Sequence, residues 1–194
     1  LHATGRRANT EGLGLENTDI ELRPNGTIVV DEFCQTAVEN VFAVGDVNGG
    51  LQFTYVSLDD FRVVNGYLHG NKEYTTADRK NVPYSTFISP ALSHVGLHKE
   101  EAEAAYPNVA VASLPVANMP RGAVNQDPRG LFRVTVDKDT NLILGATLFG
   151  KNSEEIINLI KMAIDNKIPY TYIRDQIFTH PTMAENLNDV FKLI

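Results

Sequence analysis

The segment between residues 131 and 167 constrains the fold more than any other part of this sequence. Residues 131–137 (LFRVTVD) and 142–150 (LILGATLFG) are rich in β-branched and apolar residues, which favours two strands, and the intervening KDTN predicts a hairpin turn. The next segment, residues 153–167, places apolar residues on one broad helical face, namely Ile156, Ile157, Leu159, Ile160, Ala163 and Ile164. Antiparallel strands followed by an amphipathic helix predict an α+β domain, with an antiparallel sheet flanked by helices.

Local patterns predict the remaining elements. Runs of β-branched and apolar residues favour further strands at residues 26–33, 40–46, 84–88 and 109–116. Helical spacing and capping residues predict helices at residues 54–69 (capped by Thr54), 98–106, 153–167 (capped by Ser153) and from about Pro181 to Leu193. The opening segment LHATGRRANTEGLGL lacks an initiator methionine and resembles the end of a strand, so we expect a piece of a longer protein.

A polar segment at residues 70–83 (GNKEYTTADRKNVP) predicts a boundary between two domains. We therefore divide the chain into residues 1–80 and residues 81–194. The hairpin and the amphipathic helix fall on the C-terminal side of this boundary, so the α+β prediction applies to residues 81–194.

Charge and composition exclude several classes of protein. The formal net charge of −7 argues against a nucleic-acid binder, which needs lysine and arginine to neutralise phosphates. No apolar run approaches the length of about 18 residues that a transmembrane helix needs, so we expect no membrane partner. The single cysteine, Cys34, excludes an internal disulfide framework and is compatible with a reducing cytoplasm. Its place in a predicted loop, outside any redox motif, indicates a structural or incidental residue.

The segment VFAVGD (41–46) ends an apolar strand pattern with Gly45 and Asp46. A carboxylate at the carboxyl end of a strand lies where ligands of α/β folds bind, and the glycine allows close approach. Such a carboxylate can accept hydrogen bonds from sugar-like hydroxyl groups. Thr54 then marks a helix start, whose N–H groups can stabilise negative charge. Together they predict parts of one cofactor site, although a plain strand and turn explains the same residues.

The segment FTHPTMAENL (178–187) places a histidine directly before a proline near the end of the chain. Thr182 and Glu185 form a T-x-x-E capping box, which is a structural interpretation of Glu185. A plain helix entrance explains His180 equally well. In the functional interpretation, Glu185 orients the imidazole of His180, which transfers protons near neutral pH.

His94 and His98, in SHVGLH, are four residues apart, a spacing that binds zinc when both lie on a helix. Gly96 between them and the strand-like surroundings disfavour a helix, and no cysteine or third ligand is near in sequence. We therefore predict no metal site, and we assign His98 to the entrance of the short helix.

Several motifs occur in a characteristic order along the chain: ATGRRAN, VDEF, VFAVGDV, VGLHKEEA and THPTMAE. Together they resemble the C-terminal part of the class I pyridine nucleotide-disulfide oxidoreductases, the family of glutathione reductase, dihydrolipoamide dehydrogenase and mercuric reductase. The resemblance covers essentially all 194 residues. The segments FTYVSLDDFRVVNGYL and HPTMAENLNDVF are similar to a branch of reactive-chlorine-resistance flavoproteins.

The resemblance implies domains and cofactors. Residues 1–80 would be the end of a nicotinamide domain and the last segment of an α/β FAD-binding domain, and residues 81–194 a dimerisation domain. The implied cofactors are FAD and NAD(P)H, with Gly5 near NAD(P)H. The implied FAD contacts are Gly45 and Asp46 at the ribityl chain and Thr54 at the flavin ring.

The resemblance also implies a homodimer with a shared active site. In such a dimer, His180 and Glu185 form the acid/base pair, and the histidine reaches the active site of the other subunit. This role would explain why the end of the chain is held in place.

The chain also departs from the family pattern. It lacks the glycine-rich G-x-G-x-x-G fingerprint for FAD, the redox pair C-x-x-x-x-C and much of the nicotinamide domain. We therefore expect the C-terminal part of an oxidoreductase that acts on a small-molecule disulfide or oxidant but is not competent alone. The alternative is a non-catalytic, stand-alone dimerisation module.

Overall fold

The computed structural model describes residues 3–194. Leu1 and His2, which belong to the opening segment expected to complete a strand, lie outside that range, and residues 3–10 form no strand. The chain divides into two compact units, Leu1–Arg79 and Lys80–Ile194. Regular secondary structure is sparse in the first unit and dense in the second.

The first unit contains one α-helix, α1 (Thr54–Leu68), within its described residues. The buried positions of α1 are Val56, Asp60 and Val63. The predicted start of the helix is confirmed, but the predicted cap is wrong. Phe53, in an extended conformation, is the N-cap and makes no side-chain cap hydrogen bond, so Thr54 is the first helical residue.

The two strands predicted for this unit, residues 26–33 and 40–46, do not form, and only isolated bridges occur there. The backbone N–H of Ile28 donates to the Val47 carbonyl oxygen at 2.9 Å, while the next residue donates to the Glu21 carbonyl oxygen at 2.9 Å. These bonds do not extend into a ladder, since the pairing in this part of the chain is limited to the isolated antiparallel bridges Leu22–Ile28 and Gln35–Phe42.

The second unit is organised by a five-stranded sheet. Its strands are β1 (Tyr84–Thr86), β2 (Leu92–Gly96), β3 (Val109–Pro115), β4 (Leu131–Asp137) and β5 (Ile143–Phe149). Their order in the sheet is β1-β2-β5-β4-β3, and every neighbouring pair is antiparallel. The predicted α+β architecture and the predicted hairpin are confirmed, whereas β2 was not predicted.

Five α-helices belong to the second unit: α2 (Lys99–Ala105), α3 (Pro120–Val124), α4 (Ser153–Asp165), α5 (Tyr170–Asp175) and α6 (Asn186–Phe191). Helix α4 packs on β2 and β5, α6 packs on β3 and β4, and α5 packs on α6. The core joins strand residues such as Phe132 and Leu148 to helix residues such as Ile160 and Leu187. Among the described residues, no helix combines the length and the apolar character needed to cross a membrane.

The apolar face predicted for α4 divides into a buried part and an outward part. The buried residues, which pack into the core, are Ile156, Ile157, Ile160 and Ala163. Leu159, which was predicted on the same face, is 42% exposed, and Met162, three residues further on, is 61% exposed. Helix α4 therefore covers the sheet with one side and presents apolar side chains to its surroundings with the other.

The cap of α4 and the start of the last helix differ from the prediction. At α4 the N-cap is Asn152, with a φ of 64°, and Ser153 is the first helical residue. The Ser153 hydroxyl lies against the sheet instead, where it donates to the Ala91 carbonyl oxygen at 2.8 Å and lies 3.0 Å from Ser93 Oγ. At the end of the chain, α6 begins at Asn186, five residues later than the predicted start at Pro181.

Candidate functional site

A tight turn presents Asp46 at the surface of the first unit. Gly45–Asn48 forms a single 3-10 turn, which the chain enters from Val44 in an extended conformation. Gly45 has a φ of 74°, and a Cβ atom there would lie 2.8 Å from Ser57 Oγ on α1. A side chain at this position would therefore be strained and would collide with α1, so the residue before Asp46 must be glycine.

The carboxylate of Asp46 is exposed and paired with Arg6. Its side chain is 43% exposed, and Oδ2 accepts a hydrogen bond from Arg6 Nη1 at 2.7 Å. The same guanidinium donates from Nη2 to the Gln52 carbonyl oxygen at 3.0 Å. Arg6 thus links the carboxylate to the segment that enters α1. Because exposed ion pairs contribute little stability, Arg6 can release the carboxylate to another hydrogen-bond donor.

Two further predicted site residues are close in sequence to the residues that Arg6 links. Gly5 precedes Arg6, and Thr54 lies two residues after Gln52. Thr54 is exposed at the first position of α1, where the helix dipole concentrates partial positive charge. Gly5 directly precedes Arg6 and has a φ of 101°, and a Cβ atom there would meet nothing within 4 Å. Through Arg6, the structure therefore links Asp46 to the segment that enters α1. Gly5 is next to Arg6 in sequence, and the space where its side chain would lie is open.

Arg6 is a member of this site that the sequence analysis missed. The available signal was the motif ATGRRAN, which places two arginines after a glycine. Local sequence does not reveal which of them bonds to a residue 40 positions away. The neighbouring Arg7 instead pairs locally with Glu11.

The second candidate group lies before α6 and consists of His180, Thr182 and Glu185. Glu185 Oε2 lies 2.8 Å from His180 Nδ1, and Glu185 Oε1 accepts a hydrogen bond from the Thr182 backbone N–H at 2.9 Å. The backbone N–H of Glu185 donates in return to Thr182 Oγ1 at 3.2 Å. The reciprocal Thr–Glu bonds and the His–Glu bond therefore exist together, with one carboxylate oxygen used for each. The peptide bond between His180 and Pro181 is cis.

The environments of His180 and Glu185 differ. The His180 side chain is 69% exposed, while that of Glu185 is 16% exposed. Burial acts to raise the pKa of Glu185, but its hydrogen bonds with His180 and Thr182 outweigh burial, so the pKa lies below its usual value. An ionised carboxylate only accepts hydrogen bonds, so the proton between the two residues belongs to Nδ1. The arrangement leaves Nε2 as the nitrogen that can exchange protons.

Cys34 is fully buried in the first unit. Burial raises the pKa of its thiol to about 12, and the negative charge of nearby Asp60 and a hydrogen bond to that carboxylate act in the same direction. The thiol therefore stays protonated at physiological pH, which suits a structural residue and not a nucleophile.

We expect the Cys34 thiol to resist alkylation by iodoacetamide in the folded protein. The thiolate is the reactive form, and a pKa raised from 9.0 to about 12 lowers its population about a thousandfold at mildly alkaline pH. The modified fraction of the peptide that contains Cys34 can be measured by mass spectrometry, with guanidinium-unfolded protein as the control. Modification of the folded protein as fast as the unfolded control would contradict this expectation.

His94 and His98 form a stacked pair, with ring centroids 3.7 Å apart and an angle of 12° between the planes. His94 lies on β2, where its Nδ1 is 2.8 Å from Thr147 Oγ1 and its Nε2 is 3.0 Å from the Gly96 carbonyl oxygen. Burial is the main cause that lowers the pKa of His94. Both ring nitrogens of His94 are therefore engaged in contacts within the sheet.

Comparison with known proteins gives consistent matches along the chain. A model of the pyridine nucleotide-disulphide oxidoreductase dimerisation domain matches residues 82–191, and a pyridine nucleotide-disulphide oxidoreductase model matches residues 1–60. The chain is 48% identical over 194 residues to the Escherichia coli protein named "Probable pyridine nucleotide-disulfide oxidoreductase RclA", covering 100% of this chain and 44% of that protein. It is 33% identical over 185 residues to glutathione reductase of Burkholderia cepacia, covering 95% of this chain and 41% of that protein.

Solved structures share the fold described above. The structure of the HOCl-induced flavoprotein disulfide reductase RclA from Escherichia coli matches with a TM-score of 0.96 and 48% identity, covering 99% of this chain and 44% of that one. LpdA from Mycobacterium tuberculosis matches with a TM-score of 0.85 at 21% identity, covering 96% of this chain and 40% of that one, which shows the fold alone. The chain spans less than half the length of the relatives it matches.

Proposed function

Since the chain belongs to the pyridine nucleotide-disulphide oxidoreductase family, we propose that it is the C-terminal part of an enzyme that uses NAD(P)H and FAD to reduce a small-molecule disulfide or oxidant. The observation that carries this proposal is the pair of His180 and Glu185, in which a largely buried carboxylate fixes one nitrogen of an exposed imidazole. The oxidoreductase match over residues 1–60 favours this enzyme over a non-catalytic, stand-alone dimerisation module.

The turn that carries Asp46 fits a contact with FAD, which supplies a two-electron carrier when bound. Gly45 lets this turn pack closely against α1, because a Cβ atom there would lie only 2.8 Å from Ser57 Oγ. The exposed carboxylate of Asp46 can accept hydrogen bonds from the ribityl hydroxyl groups. We assign Thr54, at the positive end of α1, to the flavin ring, and Gly5 to the nicotinamide cofactor.

The role of His180 is to move a proton. Glu185 holds Nδ1–H, so Nε2 is free to take a proton from a thiol and to return it later. When the imidazole is protonated, the adjacent carboxylate stabilises its positive charge. The sequence contains one cysteine, so a redox cysteine pair has to come from outside this chain, and we propose that the chain alone is not competent.

The full-length protein tests the proposed function. Stopped-flow absorbance would follow reduction of the flavin by NADH or NADPH, and then its reoxidation by small disulfides and by oxidants such as hypochlorous acid. We expect reduction by at least one nucleotide and reoxidation by at least one acceptor. A full-length protein without flavin, or with a flavin that neither nucleotide reduces, would contradict the proposal and favour the dimerisation module.

We also propose a homodimer and expect residues from 82 onward to associate without the rest of the protein. The match to the dimerisation domain covers residues 82–191, and the outward side of α4 carries the exposed side chains of Leu159 and Met162. A stable interface of this kind buries more than about 1,000 Å², which such apolar residues can help to supply. Sedimentation equilibrium at tens of micromolar would measure the mass, and a single monomeric species would refute the expectation.

A further inference from the structure

A buried carboxylate lies beside the turn that carries Asp46. Asp60, on α1, is 1% exposed, although aspartate is almost never buried unless it is paired. Its Oδ2 accepts a hydrogen bond from the Gly45 backbone N–H at 2.7 Å and another from Asn48 Nδ2 at 2.9 Å. These two donors are the first and last residues of the turn. One oxygen atom of Asp60 therefore ties both ends of the turn to α1.

Arg79 neutralises the other oxygen of Asp60. Its Nη2 donates to Asp60 Oδ1, and its Nε donates to Asp59 Oδ2 at 2.6 Å. The Arg79 side chain is only 14% exposed. Burial acts to lower the pKa of Arg79, but the hydrogen bonds to the two carboxylates raise it above its usual value, so the cation persists. Asp60 is therefore held by donors on both of its oxygens.

The neighbouring carboxylates of Asp59 and Asp60 accept hydrogen bonds from different groups. Asp59 accepts hydrogen bonds from Arg79 and from the Tyr74 hydroxyl, the latter at 3.0 Å, and none of its bonds within residues 3–194 reaches the turn. A buried ion pair contributes little net stability, because desolvation of the charges offsets their attraction. Stabilisation of α1 therefore does not explain why the bonds of Asp60 go to the two ends of the turn.

We propose that Asp60 is a positioning residue for FAD, because by tying Gly45 and Asn48 to α1 it fixes the direction of the Asp46 carboxylate between them. The inference rests on the proposed function, in which Asp46 accepts hydrogen bonds from FAD. Arg79 donates to Oδ1 of Asp60, so Oδ2 faces the turn, where one carboxylate oxygen can accept from both donors. Asp60 acts on FAD through Asp46 and not through a contact of its own.

The main test is Asp60→Asn in the full-length protein. An asparagine has one oxygen and one NH₂ group, so its NH₂ must face either Arg79 or the two donors of the turn. Either orientation places donors against donors and breaks one side of the arrangement. We expect FAD affinity to fall by about 10- to 100-fold, the effect of losing a hydrogen bond to a charged group. Titration of the apoprotein with FAD, followed by flavin absorbance and fluorescence, measures the affinity.

Asp59→Asn is the matched control. It makes the same chemical change one residue away and alters the same ion-pair network around Arg79. The asparagine oxygen can still accept from Arg79 and Tyr74, while its NH₂ faces Arg62, which is 62% exposed and can move away. We expect FAD affinity within about threefold of the wild type. Equal weakening by the two variants would overturn the inference, because the network and not the contact with the turn would then control binding.

The double variant provides a readout that a merely structural role would not change. Because Asp60 acts through Asp46, Asp46→Asn with Asp60→Asn is expected to bind FAD no more weakly than Asp46→Asn alone. Additive losses would overturn the inference and leave the proposed function intact. An Asp46→Asn variant with wild-type affinity would contradict the FAD contact itself, and the inference with it, so the two failures can be distinguished.

A second variant covers the case in which circular dichroism shows that Asp60→Asn does not fold. Asn48→Ala removes one of the two donors of the turn and leaves Asp60 paired with Gly45 and Arg79. We expect FAD affinity to fall by about 3- to 10-fold, with no further loss when Asp46→Asn is already present. Unchanged affinity in Asn48→Ala would overturn the inference.

Discussion

Replacing His180 by alanine in the full-length protein is expected to slow turnover with the disulfide or oxidant by about 10²- to 10⁴-fold, the range over which a general acid/base contributes. The geometry is compatible with the proposed role, because Glu185 lies 2.8 Å from Nδ1 while 69% of the histidine side chain is exposed. Alanine can neither accept the proton nor return it. Steady-state turnover with NAD(P)H and each acceptor measures the loss.

Flavin reduction and thermal stability separate the chemical role of His180 from a structural one. Hydride transfer from NAD(P)H to FAD needs no proton from this histidine, so the rate of flavin reduction is expected to stay unchanged. His69→Ala is a matched control, since His69 is also exposed but its Nδ1 bonds to the Asn65 backbone carbonyl oxygen at 2.8 Å. If His180→Ala kept full turnover and melted earlier, His180 would be an ordinary residue before the last helix.

Substitution of the partner carboxylate should have a smaller effect than loss of the imidazole. In Glu185→Gln, one oxygen can still accept from the Thr182 backbone, but the NH₂ group then faces His180 Nδ1 and no longer holds its proton. The imidazole remains present without its orienting negative charge. We therefore expect turnover between that of the wild type and that of His180→Ala.

The terminal pair shows how far sequence reasoning reaches. His180 and Glu185 are five residues apart, so their pairing could be predicted from a local motif, as could the capping bonds between Thr182 and Glu185. From the sequence alone, the capping bonds and the orientation of the histidine are competing interpretations of Glu185. The structure shows both sets of bonds, because each carboxylate oxygen takes one partner. The Thr–Glu bonds close the turn before α6 and do not cap that helix, whose N-cap is Glu185 without a side-chain cap bond. That division depends on the path of the backbone around Pro181, which the motif does not specify.

The contacts around Asp46 and Asp60 were harder to predict because they join distant parts of an irregular chain. Arg6 bonds to a carboxylate 40 residues away, and Asp60 bonds to the backbone of Gly45, 15 residues away. Neither separation is a helical or strand period. A buried aspartate on α1 looks like an ordinary polar position in the sequence, and its bonds to the turn become visible only when both ends of the turn are located beside it.

The same distinction applies to the fold. The β4–β5 hairpin and α4 were predicted because their hydrogen bonds and apolar patterns lie within one continuous stretch of sequence. Strand β2 was missed because two of its buried residues are polar, Ser93 and His94. Their hydroxyl partners, Ser153 and Thr147, lie 60 and 53 residues further along the chain. These polar groups are buried because of tertiary contacts, which the local hydrophobic pattern of the sequence does not reveal.

We expect Phe132→Ala to lower the free energy of unfolding by about 3–5 kcal/mol. Phe132 lies on β4 with no exposed surface, in the core between the sheet and the helices α4 and α6. Its ring fills the space beside Gly150, where a Cβ atom would lie only 3.2 Å from Phe132 Cε1. Truncation removes most of the ring and leaves a cavity that the surrounding antiparallel sheet can only partly close.

Phe87→Ala is the matched control for this substitution. Phe87 belongs to the same unit but is 81% exposed, so removing the same atoms changes little buried surface. We expect a change within about 0.5 kcal/mol. Urea unfolding followed by circular dichroism, at two protein concentrations to separate dissociation from unfolding, gives both values. Equal losses for the two variants would mean that the phenylalanine at position 132 is not the centre of the core, because burial is the property that differs between them.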